Sequence, residues 1–222
     1  PAPGPMRKRY EKWFKKLSGR NFAQEAALLE AADAYDAAMK TKKLTPKQLQ
    51  CIVATASSSP TLLWSNAVEF LTKLSGKFPA AAEAIVAMSR HRQAHVRFVA
   101  ICALGRQTPE ATTDLVLRAL IQDKSSKVRW KAAQEANSLE RITLIADIAA
   151  ALRAETNEES RASIELSLRM LRDGYWLEKR SRGNWTLTVR LPRGLRSVYV
   201  TPQQVRKDGV ELLAAKIARG RF

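Results

Sequence analysis

Apolar positions recur at helical spacing through most of the chain and switch to strict alternation near its end. Tyr10, Trp13, Phe14 and Leu17 stand at i, i+3, i+4 and i+7, the stripe of an amphipathic helix. Comparable stretches predict helices over about 7–17, 22–39, 46–56, 60–74, 79–90, 94–105, 109–122, 126–139, 141–155 and 158–172. The pairs Thr45-Pro46, Ser59-Pro60, Thr108-Pro109 and Thr201-Pro202 each precede such a stretch. A hydroxyl N-cap followed by proline in the first turn is a specific start signal, because the hydroxyl accepts an otherwise unpaired amide and proline has none to lose. After Asp173-Gly174 the pattern alternates in 175–178, 185–191 and 196–200 with aromatic and β-branched residues, which predicts three strands. Arg182-Gly183-Asn184 and Pro192-Arg193-Gly194 are turn chemistry for antiparallel hairpins. One last helix is expected from Pro202 to Ala218, so the fold class is mostly α with a small C-terminal three-stranded antiparallel meander plus helix. So small a sheet is expected to pack on the preceding helices.

The helical part repeats. Val96-Arg97-Phe98-Val99-Ala100-Ile101-Cys102-Ala103-Leu104-Gly105 superposes on Val128-Arg129-Trp130-Lys131-Ala132-Ala133-Gln134-Glu135-Ala136 at an offset of 32, and Arg161 follows at 32 again. A weaker copy at 33 places Leu63, Ala67, Phe70 and Leu71 against Val96, Ala100, Ala103 and Leu104. Each unit holds two helices and neighbours bury faces that one unit alone leaves open, the pattern of an α-solenoid. These residues resemble HEAT-like repeats of the short bacterial type, whose second helix begins Asp-x5-Arg with Val before the Arg and Ala-Leu-Gly after it. The resemblance covers residues 60–172 and implies a HEAT-like α-solenoid, not an activity. It divides the chain into N-terminal capping helices (6–59), repeats (60–173) and a basic meander-plus-helix tail (174–222).

From the residues alone, Arg97, Arg129 and Arg161 are either a phosphate-gripping ladder or struts between units. The resemblance implies struts, each paired with the preceding acid. Asp123 stands six before Arg129 and Glu155 six before Arg161, while His91 takes the acid's place before Arg97. Phe98 and Trp130, at equivalent positions, are expected to pack between repeats rather than to serve as base-stacking platforms.

Charge adds what periodicity does not. The 222 residues carry 38 Lys and Arg against 21 Asp and Glu, a formal net charge of +17, so an acidic partner is expected. Residues 106–174 are balanced at 11 against 11, whereas 1–60 hold 11 against 5 and 175–222 hold 11 against 3. Six of the ten residues from Arg7 to Lys16 are basic, which makes the first helix a basic amphipath, either a cap docked by its aromatic stripe or a contact for a membrane surface or nucleic acid. In the tail, Trp185, Leu187, Val189 and Leu191 share one face of their strand. Arg180, Arg182, Arg190, Arg193 and Arg196 lie on or beside the two turns, where arginine suits phosphate and acidic surfaces.

Chemistry-bearing motifs are sparse. His91 and His95 have metal-ligand spacing but no third ligand and no intervening Glu, and they read as surface or inter-helix histidines. Cys51 and Cys102 read as buried thiols of a reducing compartment. No phosphate loop, nucleophile elbow or paired carboxylate is present, so neither cofactor nor metal is expected. Ser57-Ser58-Ser59-Pro60 interrupts the longest uncharged run, leaving no membrane span. The Pro1–Pro5 run before Met6 is expected to be foreign to the natural chain, and with no apolar signal region behind Met6 a cytoplasmic protein is expected. The function expected is a non-enzymatic binding module for a polyanion (nucleic acid) or an acidic protein surface. The first alternative comes from the resemblance: a HEAT-like alkylpurine DNA glycosylase, although no acid is motif-supported beside Trp64 or Trp130. The second is a protein–protein adaptor without nucleic-acid binding.

Overall fold

The computed structural model describes residues 3–16, 25–58, 64–179, 185–192 and 194–220, and the chain divides into two compact units, 1–135 and 136–222. The first unit holds α1 (Pro5–Lys16), α2 (Glu25–Thr41), α3 (Pro46–Ser57), α4 (Trp64–Ser75), α5 (Pro79–Ser89), α6 (Ala94–Cys102), α7 (Glu110–Ile121) and most of α8 (Ser126–Ser138). The second holds the end of α8, a 3-10 turn at Ile142–Leu144, α9 (Ile145–Ala154), α10 (Glu158–Arg172), strands β1 (Tyr175–Lys179), β2 (Trp185–Leu191) and β3 (Gly194–Val200), then α11 (Pro202–Asp208) and α12 (Val210–Ala218). The fold is mostly α, 71% helical, with one three-stranded antiparallel sheet near the C-terminus. No helix among the described residues is long and apolar enough to cross a membrane.

Two of the four hydroxyl-proline pairs cap helices as their chemistry predicts. Thr45 accepts from the Gln48 amide at 3.3 Å while the Gln48 side chain accepts from the Thr45 amide at 2.8 Å, and Thr201 and Gln204 repeat this reciprocal arrangement ahead of α11. Thr108 departs from expectation. The helix begins after Pro109, and the Thr108 hydroxyl instead meets Ser75 Oγ at 2.8 Å and accepts from the Gly105 amide at 3.1 Å. It is spent on holding the turn after α6 against the end of α4. Gly105 is needed there because a Cβ at that point would lie 2.6 Å from the Thr72 methyl. Ser59-Pro60 lies outside the described residues.

The first core is built on rings and alanines. Phe70 of α4 is fully buried, stacked on Tyr35 of α2 at 4.8 Å and edge-on to Tyr10 of α1 at 5.8 Å, so one side chain joins three helices. Ala31, Ala32, Ala67, Ala100, Ala132 and Ala133 are fully buried, and their small side chains let backbones approach.

In the second unit the sheet order is β1-β2-β3, with Leu187 opposite Leu177 and Val198. Leu187, Val189 and Val200 pack on Leu213, Ala214 and Ile217 of α12. Trp185 and Leu191 flank the cluster, so the apolar face read from β2 is the buried one. Burial of each large aliphatic there contributes about 1.5–3 kcal/mol. The expected single last helix is two helices. The Gly209 amide donates to Val205 at 2.9 Å, closing α11, and Gly209 then adopts φ 77° and ψ 155°, a conformation open in practice only to glycine. The corner turns Leu213 and Ile217 onto the sheet.

Because nothing lies within 4 Å of a Cβ at Gly209, Gly209→Ala isolates backbone strain. Its cost less the entropy regained in the unfolded chain is expected to be about 1–2 kcal/mol, measured as a lower urea midpoint.

Candidate functional site

Helix α1 has no acid in its first turn, and α2 supplies one. The amides of Met6 and Arg7 donate to Asp36 Oδ2 at 2.9 and 3.3 Å, and Arg7 pairs with Glu11 at 2.8 Å and with Asp33. Tyr10 and Phe14 are buried, and the Tyr10 hydroxyl donates to Asn66 Oδ1 at 3.2 Å. The aromatic stripe therefore docks, as a cap requires. Lys8, Arg9, Lys12, Lys15 and Lys16 stay exposed, and Arg9, Lys12 and Lys16 line a cleft with Tyr10, half-buried Trp13 and Asn66. Lys12 and Lys16 have no carboxylate partner among the described residues.

Phe98 and Trp130 occupy equivalent places in α6 and α8, 32 residues apart. Phe98 and Trp130 meet edge to face at 6.4 Å and 71°, the packing expected of them, yet both are only half-buried. Beside Phe98 lies a cavity of about 220 Å³ whose described lining is Ser58, Ala94, His95, Phe98, Val99, Ser125, Lys127 and Val128. The Lys127 ammonium sits 5.5 Å from the Phe98 ring centre, an attraction to the ring's negative face. Lys127 has no ion pair among the described residues. It escaped notice in the sequence, although Lys127, Trp130, Lys131 and Gln134 follow i, i+3, i+4 and i+7 along one face of α8.

Arg97 finds its acid by a different rule from the one the spacing suggests. Arg97 Nε and Nη2 donate to Asp123 Oδ2 and Oδ1 at 2.6 and 2.8 Å, and Nη1 donates to the carbonyls of His91 and Arg92 at 2.8 and 3.0 Å. The acid lies 26 residues after the arginine, so the missing acid at 91 costs Arg97 nothing. Arg129 donates to the Asp123 carbonyl at 2.7 Å, repeating the backbone half of the pattern. Glu155 is buried and accepts from the Asn157 amide at 2.9 Å, as Asp123 accepts from Ser125 at 2.8 Å. Arg161 departs from the ladder: it is exposed and forms no ion pair among the described residues. The position 26 beyond it is Leu187, buried in β2.

Burial opposes ionisation of Asp123, but hydrogen bonds from Arg97 and the Ser125 amide outweigh it and hold the carboxyl below its ordinary range.

Of the five arginines on or beside the tail's turns, Arg190 and Arg196 lie among the described residues. Arg180, Arg182 and Arg193 lie outside the described residues. Arg190 is engaged, donating to the Asn137 carbonyl at 3.2 Å and to its side-chain oxygen, with Glu140 at 3.5 Å. Arg196 pairs in register with Val189, one residue from Arg190 along β2, and so projects from the opposite face of the sheet.

Cys51 and Cys102 are half-buried rather than buried. Burial pushes the Cys102 thiol up to about 11, which keeps it protonated and unreactive. His91 precedes α6 while His95 lies on it, its Nε2 3.0 Å from the Ser57 carbonyl oxygen, so the two share no helical face. Comparison with protein families, curated proteins and solved structures finds no match to this chain.

Asp123→Asn leaves the buried Arg97 guanidinium without its counter-charge and is expected to cost about 3–5 kcal/mol, read from urea melts. The folded carboxyl titrates below its unfolded value, so the pair's contribution is complete above the unfolded value and is lost as pH falls through the folded one. The stabilities of parent and variant should therefore converge in acid.

Proposed function

We propose that the chain is a non-catalytic binding module, built on HEAT-like repeats, that holds nucleic acid on the aromatic and cationic side chains of α1, α6 and α8. The observation that carries this reading is how the cations divide. Arg97, Arg129 and Arg190 have their guanidinium groups committed to protein oxygens. Lys127 lies over the Phe98 ring, Lys12 and Lys16 line a cleft with Tyr10 and Trp13, and none of the three has a carboxylate partner among the described residues. Unpaired cations next to ring faces suit a strand whose phosphates need counter-charge and whose bases stack. The cavity beside Phe98 is apolar-walled with Lys127 and His95 among its lining residues, a setting for a flat ring bearing an anionic tail. Strand β2 contributes less to this reading, because Arg190 is already occupied.

Fluorescence anisotropy with labelled single-stranded DNA, RNA and duplex tests it. Single strands should bind more tightly than duplex, and log K should fall with log salt by about 0.7 per phosphate neutralised on a single strand. Changing Lys12, Lys16 and Lys127 together to Glu should weaken binding to every sequence and flatten that slope by about two. An unchanged slope would remove these helices from the interface. Release of bases from methylated duplex above a heat-killed control would replace the reading with the glycosylase one.

A further inference from the structure

Strand β3 is an outer strand of the sheet, and one hydrogen bond fixes which way its backbone groups point. The Arg190 amide donates to the Gly174 carbonyl at 2.8 Å, toward β1. Amides alternate along an antiparallel ladder, so Thr186 and Thr188 also face β1, while Leu187, Val189 and Leu191 face β3. The β3 partners of those three are Val198, Arg196 and Gly194. The N–H and C=O groups of Leu195, Ser197 and Tyr199 consequently point away from the sheet. Their side chains are open as well, Leu195 at 62% and Tyr199 at 72% exposure.

Outer strands are usually guarded by proline, several charged side chains, a bulge or a covering element, and β3 carries a single charge, Arg196. Residues 194–200 contain no proline or lysine, and their register with β2 runs unbroken from Gly194 to Val200. Charge selects the occupant. Residues 175–222 hold 11 Lys and Arg against 3 Asp and Glu, Arg196 lies on the strand, and exposed Arg206 and Lys207 follow on α11. A second copy of this chain would bring like charge to like, whereas an acidic segment gains.

The geometry points to β3 as a docking edge for an extended acidic segment of a partner protein, which adds to the sheet as a fourth strand. Alternation defines that segment's chemistry. Its apolar side chains fall on the face of Leu195 and Tyr199, and its carboxylates on the face of Arg196. The site lies apart from α1, α6 and α8 and stands whether or not those helices hold nucleic acid.

The probe is a fluorescein-labelled nonapeptide alternating valine and glutamate, titrated with the full chain at low salt. It should bind, and Ser197→Pro, which removes one outward amide and leaves the β2–β3 ladder intact, should weaken it about tenfold, the size of one backbone hydrogen bond. Ser197→Ala, which loses only the hydroxyl contact to Thr188 at 2.9 Å, should bind as the parent does. Should Ser197→Pro fail to fold, the same peptide N-methylated at alternate amides loses the bonds it would donate to the outward carbonyls of β3 and should not bind. Equal binding by the N-methylated peptide overturns strand addition, and equal binding by a valine–lysine peptide overturns the acidic partner. A parent dimer that Ser197→Pro converts to monomer would assign the edge to a second copy instead.

Discussion

Arg97 sets the spacing on which the first unit depends. Its guanidinium is nearly buried, and four of its hydrogen bonds are made within the protein: two to one carboxylate just before α8 and two to carbonyls just before α6. A planar donor group in that fork geometry fixes distance and angle together, which a lysine at the same place would not. With the entries to α6 and α8 held in this way, Phe98 and Trp130 come edge to face, and the cavity beside Phe98 opens between Val99 and Val128. The aromatic surface is a consequence of the strut beneath it.

Much of this was legible in the sequence. Helical spacing found the described helices between Trp64 and Arg172 to within a few residues, and alternation in β2 separated its buried face from its exposed one, because burial on one face is what writes those patterns. The strut partner was not legible, for an arithmetical reason. With units 32 residues apart, an acid six before one arginine is also 26 after the preceding arginine, so the sequence alone does not say which arginine it serves. Position 91 offers the clue: a unit lacking the acid still carries its arginine. The break at Gly209 was hidden differently, since both flanking stretches are good helix and one glycine within a helical pattern is tolerated at a modest cost. Thr108 carried the right cap chemistry, and tertiary contact with Ser75 took the hydroxyl for another use.

The candidate surface was legible only in part, because net charge does not reveal which cations are already committed. Arg190 and Arg196 look alike in a list of basic residues. In the sheet they take opposite faces, Arg190 bonded to Asn137 and Glu140, so neither place nor partner can be read from that list. Lys12 and Lys16 of α1 stay exposed in the cleft beside Tyr10 and Trp13. The distinction rests on geometry: a guanidinium fork finds backbone and carboxylate partners in a packed structure, whereas a flexible ammonium on a helix exterior stays hydrated.

The capping of α1 by Asp36 has a consequence for dynamics. A twelve-residue helix with six cations and no acid in its own first turn is a poor helix in isolation, so its shape is lent to it by α2 and by the ring contacts of Tyr10. Helicity and docking thus form a single equilibrium, and undocking exposes the amides of α1 to solvent exchange together rather than one by one. Any partner that reads the lysine-bearing face reads it only in the docked population, and its apparent affinity is scaled by that fraction. Changes at Asp36 or Phe70, which hold α1 from α2 and α4, would therefore act on binding through the docked fraction.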